Sequence, residues 1–147
     1  MTVNLPDVNF LIALSWRNHV HHYAARKWLT EHSHERFATC PITESGFVRL
    51  SMNPHVVGEA VSFQKALSAL GVYLNHPKHV FWVADTDFSS LVRDFPITGY
   101  RQTTDAYLLG LAVRNSGRLI TFDTKIGELA AERRELSKNM VCVEAGF

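Results

Sequence analysis

Only two cysteines, Cys40 and Cys142, occur in 147 residues, and no CxxC pattern joins them. That excludes a disulfide framework and a cysteine-built zinc site, and it predicts two small buried thiols in a reduced, cytoplasmic protein. Charge of one sign is also missing. Fifteen Lys and Arg face fourteen Asp and Glu, for a net charge of +1. No global positive field marks the chain as a nucleic-acid binder, so any such function has to come from a local site. Uncharged apolar runs fall short of the ~20 residues that a membrane span needs. The first residues, Met1 to Asp7, contain no basic stretch of the secretory kind. Internal repeats, linkers and low-complexity segments are absent too.

What remains is an ordinary globular balance, 46% hydrophobic and 20% charged, sized for a single domain over residues 1–147 whose core needs no covalent staple. Along it, short apolar runs alternate with helical patterns. Val3 to Leu5 reads as a strand, Val8 to Trp16 as an apolar helix, and His21 to His32 as a second helix. Arg36 to Thr39 reads as strand two. Pro41 suits the first turn of a helix running to Met52, which Asn53-Pro54 stops. Ala60, Phe63, Leu67, Leu70 and Leu74 recur at 3,4 spacing, the stripe of an amphipathic helix; this stripe and the Val8 to Trp16 run read as core, with the alternative that one of them packs against a second subunit or a partner segment laid into a groove. Val80 to Val83 is continuously apolar, which predicts a strand buried on both faces. Asp87 to Asp94 is a short helix that Asp87 caps. Thr103 to Asn115 is apolar nearly all round and predicts a deeply buried helix ended by Gly117. Arg118 to Phe122, Lys125 to Arg134 and Met140 to Val143 complete the pattern as strand, helix, strand. Such alternation predicts an α/β protein, a three-layer α/β/α sandwich around a mainly parallel sheet.

In βαβ units the carboxyl end of each strand and the amino end of the next helix share one edge of the sheet, and that edge is where ligands bind. Four acids fall there. Asp7 follows strand one, Glu44 lies in the first turn after strand two, Asp105 opens the Thr103 helix, and Asp123 follows strand four. Each alone suits a helix cap or first turn, where acids are favoured by ~0.3–1 kcal/mol. Four together on one edge repel one another and resist ionising. A hard divalent cation relieves that conflict. Carboxylates and water suit Mg²⁺ or Mn²⁺, whereas zinc prefers the His and Cys that these positions lack. An ion held this way suits phosphodiester hydrolysis. Asp85 and Asp87 follow strand three without a comparable grouping.

Four segments carry a resemblance: Leu5 to Leu11, Pro41 to Arg49, Arg101 to Leu109, and Leu119 to Asp123. In this order they resemble the PIN-domain family, in particular the toxin ribonucleases of VapBC toxin–antitoxin modules. The resemblance implies the three-layer fold and an endoribonuclease dependent on Mg²⁺ or Mn²⁺. It implies a homodimer and a cognate VapB-type antitoxin as partner. Asp7 and Asp105 match the family's main metal ligands, Glu44 and Asp123 its other acids, and Asn9 and Thr121 polar neighbours that steady them. The chain departs from expectation in lacking a basic excess to hold RNA. Arg101 and Gln102, just before the Asp105 helix, are the leading candidates for RNA contact; Arg17, Arg118, Lys125 and Trp16 are weaker ones. His19, His21 and His22 lack the spacing of a zinc set, and His55, His76 and His79 only flank turns.

Competing readings make separate demands. A phospho-receiver domain shares the doubly wound sheet but wants paired acids after strand one and a lysine after the last strand, where this chain has Glu144. A silent PIN-like scaffold implies loss of one or more of the acids. A metal nuclease acting on DNA, or outside a toxin–antitoxin pair, shares the acids and differs in substrate.

Overall fold

Four residues from Val3 to Pro6 form β1, and the chain turns at Asp7 into helix α1, Val8–Ser15. The computed structural model describes residues 2–145; residue 1 and residues 146–147 of the expected domain lie outside the described residues. Helix α2 spans His22–Glu31 and β2 Arg36–Thr39. Then come α3 (Pro41–Ser51), a short α4 (Pro54–Val57), α5 (Phe63–Leu74) and β3 (His79–Phe81). Beyond them lie α6 (Phe88–Val92), α7 (Thr103–Arg114), β4 (Arg118–Thr121), α8 (Thr124–Glu132) and β5 (Met140–Cys142). No helix among the described residues is long and apolar enough to cross a membrane.

The five strands run parallel in the order β3-β2-β1-β4-β5. From β1 the chain first builds outward through β2 to β3, then crosses back to β4 on the other side. Crossovers keep one hand, so reversing direction moves the helices to the opposite face. On one face Leu5, Ala38 and Leu119 pack with Leu108, Leu109 and Leu111 of α7 and Ile126 and Leu129 of α8. On the other, Ile120 packs with Phe10, Ala13, Leu14 and Ala25 of α1 and α2. Burying this apolar surface, at roughly 25 cal/mol per Å², is what holds the layers together. The reversal point lies between β1 and β4, where open α/β sheets form their ligand crevice.

Four expectations change. Strand β3 is not buried on both faces. It is the sheet's edge: Val80 packs partly against the core and Trp82, just beyond the strand, is buried, while Phe81 is 48% and Val83 58% exposed. The α5 stripe is not all core. Ser62 caps the helix, Ala66 and Leu70 are buried, and Phe63, Leu67 and Leu74 face outward, because α5 rests on α3 along a narrow line. Cys40 is buried as expected, but Cys142 is exposed. Gly117 also has a different reason. Ser116 takes the left-handed position after α7 (φ 55°), whereas a β-carbon on Gly117 would come within 2.5 Å of the Trp82 ring and 2.7 Å of the Val3 carbonyl oxygen.

Candidate active site

Asp7 leaves β1 with extended backbone and caps α1. Its Oδ1 accepts the Phe10 amide N–H at 2.8 Å. Its Oδ2 accepts the Thr121 hydroxyl at 2.6 Å, and that hydroxyl oxygen in turn accepts the Asp123 amide at 2.9 Å. One threonine at the end of β4 therefore joins two acids from neighbouring strands. Asp123 caps α8 through the Lys125 amide at 2.8 Å. Asp105 enters from the first turn of α7.

Only 3% of Asp7 is exposed. Burial raises its carboxyl from 3.8 to about 6 and the nearby Asp123 adds to the rise, against the two hydrogen bonds that favour its charged form. Asp105 rises further, to about 7, through burial first and then through the charges of Asp7 and Asp123. The fold thus brings these three aspartates within electrostatic reach of one another at the β1/β4 reversal, and their charged forms are mutually unfavourable. Perturbed acids brought together where the strand order reverses mark a functional-site candidate.

Glu44 is held differently. Its Oε2 accepts the Thr39 hydroxyl at 2.8 Å, and the same hydroxyl oxygen lies 2.7 Å from His79 Nε2. Thr39 ends β2, and His79 opens the edge strand. Helix α3 reaches this position because Gly46 lets it close on α1, where a β-carbon would fall 2.6 Å from Val8. The expected four-carboxylate cage is not assembled as such. Among the described residues no group of three or more His, Cys, Asp and Glu side chains is arranged to hold a metal ion. Asp7, Asp123 and Glu44 each accept hydrogen bonds from nearby donors. All the candidate ligands are nevertheless carboxylate oxygens, the donor type that Mg²⁺ and Mn²⁺ prefer.

The supporting residues divide. Thr121 contacts Asp7 directly, whereas Asn9 is exposed on α1, and no hydrogen bond joins it to a carboxylate among the described residues. Gln102 folds its amide oxygen back onto the Thr98 and Gly99 amides, closing the 3-10 turn Tyr100–Gln102. Arg101 is exposed and lies over the Tyr100 ring, donating to its hydroxyl at 3.2 Å. Arg118 bonds Asn4 and Glu35 at the opposite, amino end of β4, so it is remote from the acids. Trp16 is engaged with Ser51.

Two features carried no readable sequence signal. The first is the Thr39–His79 contact, made by residues forty positions apart. The second is the placement of His21, whose ring lies 4.9 Å from Phe122, the residue between Thr121 and Asp123. His22 is structural, its Nδ1 lying 2.7 Å from the Ala13 carbonyl oxygen.

A PIN domain family model matches residues 5–132. The chain is 46% identical over 130 residues to Ribonuclease VapC38 of Mycobacterium tuberculosis, covering 88% of this chain and 91% of the relative. It is 42% identical over 130 residues to Ribonuclease VapC39 of the same species, covering 86% and 93%. Ribonuclease VapC44 is 38% identical over 124 residues, covering 83% and 87%.

Proposed function

This chain belongs to the PIN-domain family, and from that premise we propose that it is the toxin of a type II toxin–antitoxin pair, an endoribonuclease that uses Mg²⁺ or Mn²⁺ to hydrolyse RNA phosphodiester bonds. The observation that carries this reading is the placement of Asp7, Asp105 and Asp123 together at the β1/β4 reversal, where burial first and mutual charge second raise Asp7 to about 6 and Asp105 to about 7. Relatives named as ribonucleases over most of the chain point the same way.

Asp7, Asp105 and Asp123 would hold the ion, with Glu44 as the fourth acid. The chemistry supplied there would be polarisation of a phosphoryl oxygen, a lowered pKa for a water and stabilisation of the leaving oxyanion. The protein's own part is preparation. Thr121 and the Phe10 amide fix both oxygens of Asp7, so this carboxylate needs no reordering to act. Asp105, raised to about 7 by burial and by the neighbouring acids, would have to be deprotonated to serve as a ligand. RNA has to be neutralised locally, because the net charge is only +1. Arg101 suits a phosphate, and Tyr100, 79% exposed, suits an unstacked base. The loop they share is fastened by Gln102.

The partners follow from surfaces away from the acids. A cleft of about 390 Å³ opens between α2 and α5 over the sheet, lined by Phe10, Leu14, Trp28, Phe37 and Tyr73. It suits an apolar anchor of the antitoxin laid into a groove. Phe63 and Leu67 on α5 and Phe81 on the edge strand offer outward apolar surface for a homodimer. A cytoplasmic location completes the reading.

The test is cleavage of RNA by the purified chain with EDTA, then with Mg²⁺ or Mn²⁺ restored, beside DNA of the same sequence. Cutting is expected for RNA only, abolished by EDTA and regained with either ion. RNA cleavage that persists in EDTA, or in Asp105→Asn at the wild-type rate, overturns the assignment, and preferential cutting of DNA transfers it to another nuclease class.

A further inference from the structure

Helix α2 packs on α1 and helix α5 on α3, and neither closes the sheet face between them. The gap is the cleft of about 390 Å³, within the roughly 300–1,000 Å³ of small-molecule sites. Its walls are aromatic, and each ring is held by another. Phe10 meets Trp28 edge to face with ring centroids 5.7 Å apart, and Phe37 meets Tyr73 the same way at 6.2 Å. His32 stacks on the Trp28 ring at 3.9 Å. The Tyr73 hydroxyl is taken by Ser15 Oγ at 2.5 Å, so Tyr73 offers the cleft its ring rather than a polar group.

Positive charge is added to these walls. The cleft is also lined by Arg26 of α2, Arg36 at the start of β2 and Lys78 just before β3. Phe37 pairs with His79 in the β2–β3 register, so Arg36 and Lys78 are neighbours across the two strands. Lys78 is tethered, its Nζ donating to the Ser33 carbonyl oxygen at 2.6 Å. None of the three cations is in an ion pair among the described residues. Glu35, which also lines the cleft, is engaged elsewhere: its Oε1 accepts from Arg118 at 2.9 Å and from Asn4 at 3.1 Å. Like charges side by side are unfavourable, and low-dielectric walls focus their field. In a chain of net charge +1 this excess is local rather than a matter of composition. Arg36 and Lys78 stand at the amino ends of their strands, whereas Asp7 and Asp123 follow the carboxyl ends of theirs, so the cleft is separate from the acidic site.

We propose that this cleft binds a small aromatic carboxylate, its ring against the aromatic walls and its carboxylate on Arg36 and Lys78. A planar apolar body matches the walls, and a single anion answers the unpaired cations, the guanidinium through two parallel N–H bonds. The site is one of the chain free of its antitoxin, whose apolar anchor would use the same walls. It does not depend on the nuclease chemistry at the aspartates.

Ligand-observed NMR titrations of the intact chain with cinnamate, cinnamyl alcohol and acetate test this, with the thermal midpoint as a check on folding. Cinnamate is expected to saturate one site with a Kd of about 1 mM or below. The neutral alcohol, which keeps the ring and loses the charge, should bind about 10-fold more weakly, and acetate not measurably. Arg36→Gln and Lys78→Gln should each weaken cinnamate by up to about 10-fold and leave the alcohol unchanged. Arg49→Gln, exposed on α3 and outside the cleft, should change neither. Should a strand variant fail to fold, Arg26→Gln on the exposed side of α2 carries the test. Cinnamate that does not saturate, or that Arg36→Gln and Lys78→Gln leave as tight as before, overturns the proposal. So does an equal loss in Arg49→Gln. Alcohol bound as tightly as the acid overturns it as well and leaves the cleft to an apolar anchor. RNA cleavage with and without EDTA reads the nuclease assignment independently of all these outcomes.

Discussion

Asp7 and Asp87 are the same local device in two settings. Each follows a strand on extended backbone and caps a helix, its carboxylate accepting the amide three residues on, Phe10 in one case and Ser90 in the other. Each also takes a hydroxyl, from Thr121 or from Ser90. Their electrostatics are opposite. Asp87 is exposed, and the Ser90 hydroxyl and amide lower its pKa. Asp7 is buried beside other acids, and its pKa rises to about 6 despite its two bonds. A cap is thus a property of short-range geometry, whereas reactivity comes from what surrounds it: lost water and added like charge outweigh two hydrogen bonds.

The largest expected effect separates the two positions directly. Asp7→Asn should slow RNA cleavage by about 100-fold or more, because a bound ion supplies several kcal/mol of charge stabilisation, while Asp87→Asn leaves the single-turnover rate at the wild-type value. Equal losses would erase the distinction. One step outward, Thr121→Val should cost about 10–100-fold through Asp7, and Ser90→Ala, the matching change beside Asp87, nothing in cleavage.

The smallest effect is on stability without metal, measured by urea unfolding at pH 4, 6 and 8. Raised folded-state values mean that Asp7 and Asp105 keep protons that the unfolded chain has released. No penalty exists below about pH 4. It grows as the pH rises through 6 and 7, and is complete above that. Asp105→Asn should therefore stabilise the chain by about 1–2 kcal/mol at pH 8 and little at pH 4. Asp87, with a lowered value, has the opposite sign: its contribution is present at neutrality and is lost as the pH falls. A flat profile for Asp105→Asn relative to wild type would show that burial does not strain these carboxyls.

Much of the fold is legible along the chain because it is written in short-range terms. Strand Arg36–Thr39 and the starts of α3 and α7 fall where pattern and turn residues put them. The deep burial expected of the Thr103 helix is found from Ala106 to Ala112. The failures share one cause. Val80 to Val83 has the composition of a central strand but sits at the sheet's edge, and Phe63 and Leu67 have the spacing of core residues but face outward. Periodicity reports that a face is apolar; it does not report whether another element covers it. Likewise nothing local marks His79 as a neighbour of Thr39, because their meeting depends on the pairing of β2 with β3.

The amino-acid order alone determined that acids stand at strand ends and helix starts, since capping and strand boundaries are decided within three or four residues. Only the tertiary structure decided which of those acids become neighbours. Setting β1 beside β4 and laying α7 over them buries Asp7 and Asp105 next to Asp123, while β2 and β3 turn Glu44 onto Thr39. Desolvation and Coulomb repulsion act through space, so they come into being only when the strands have chosen their neighbours.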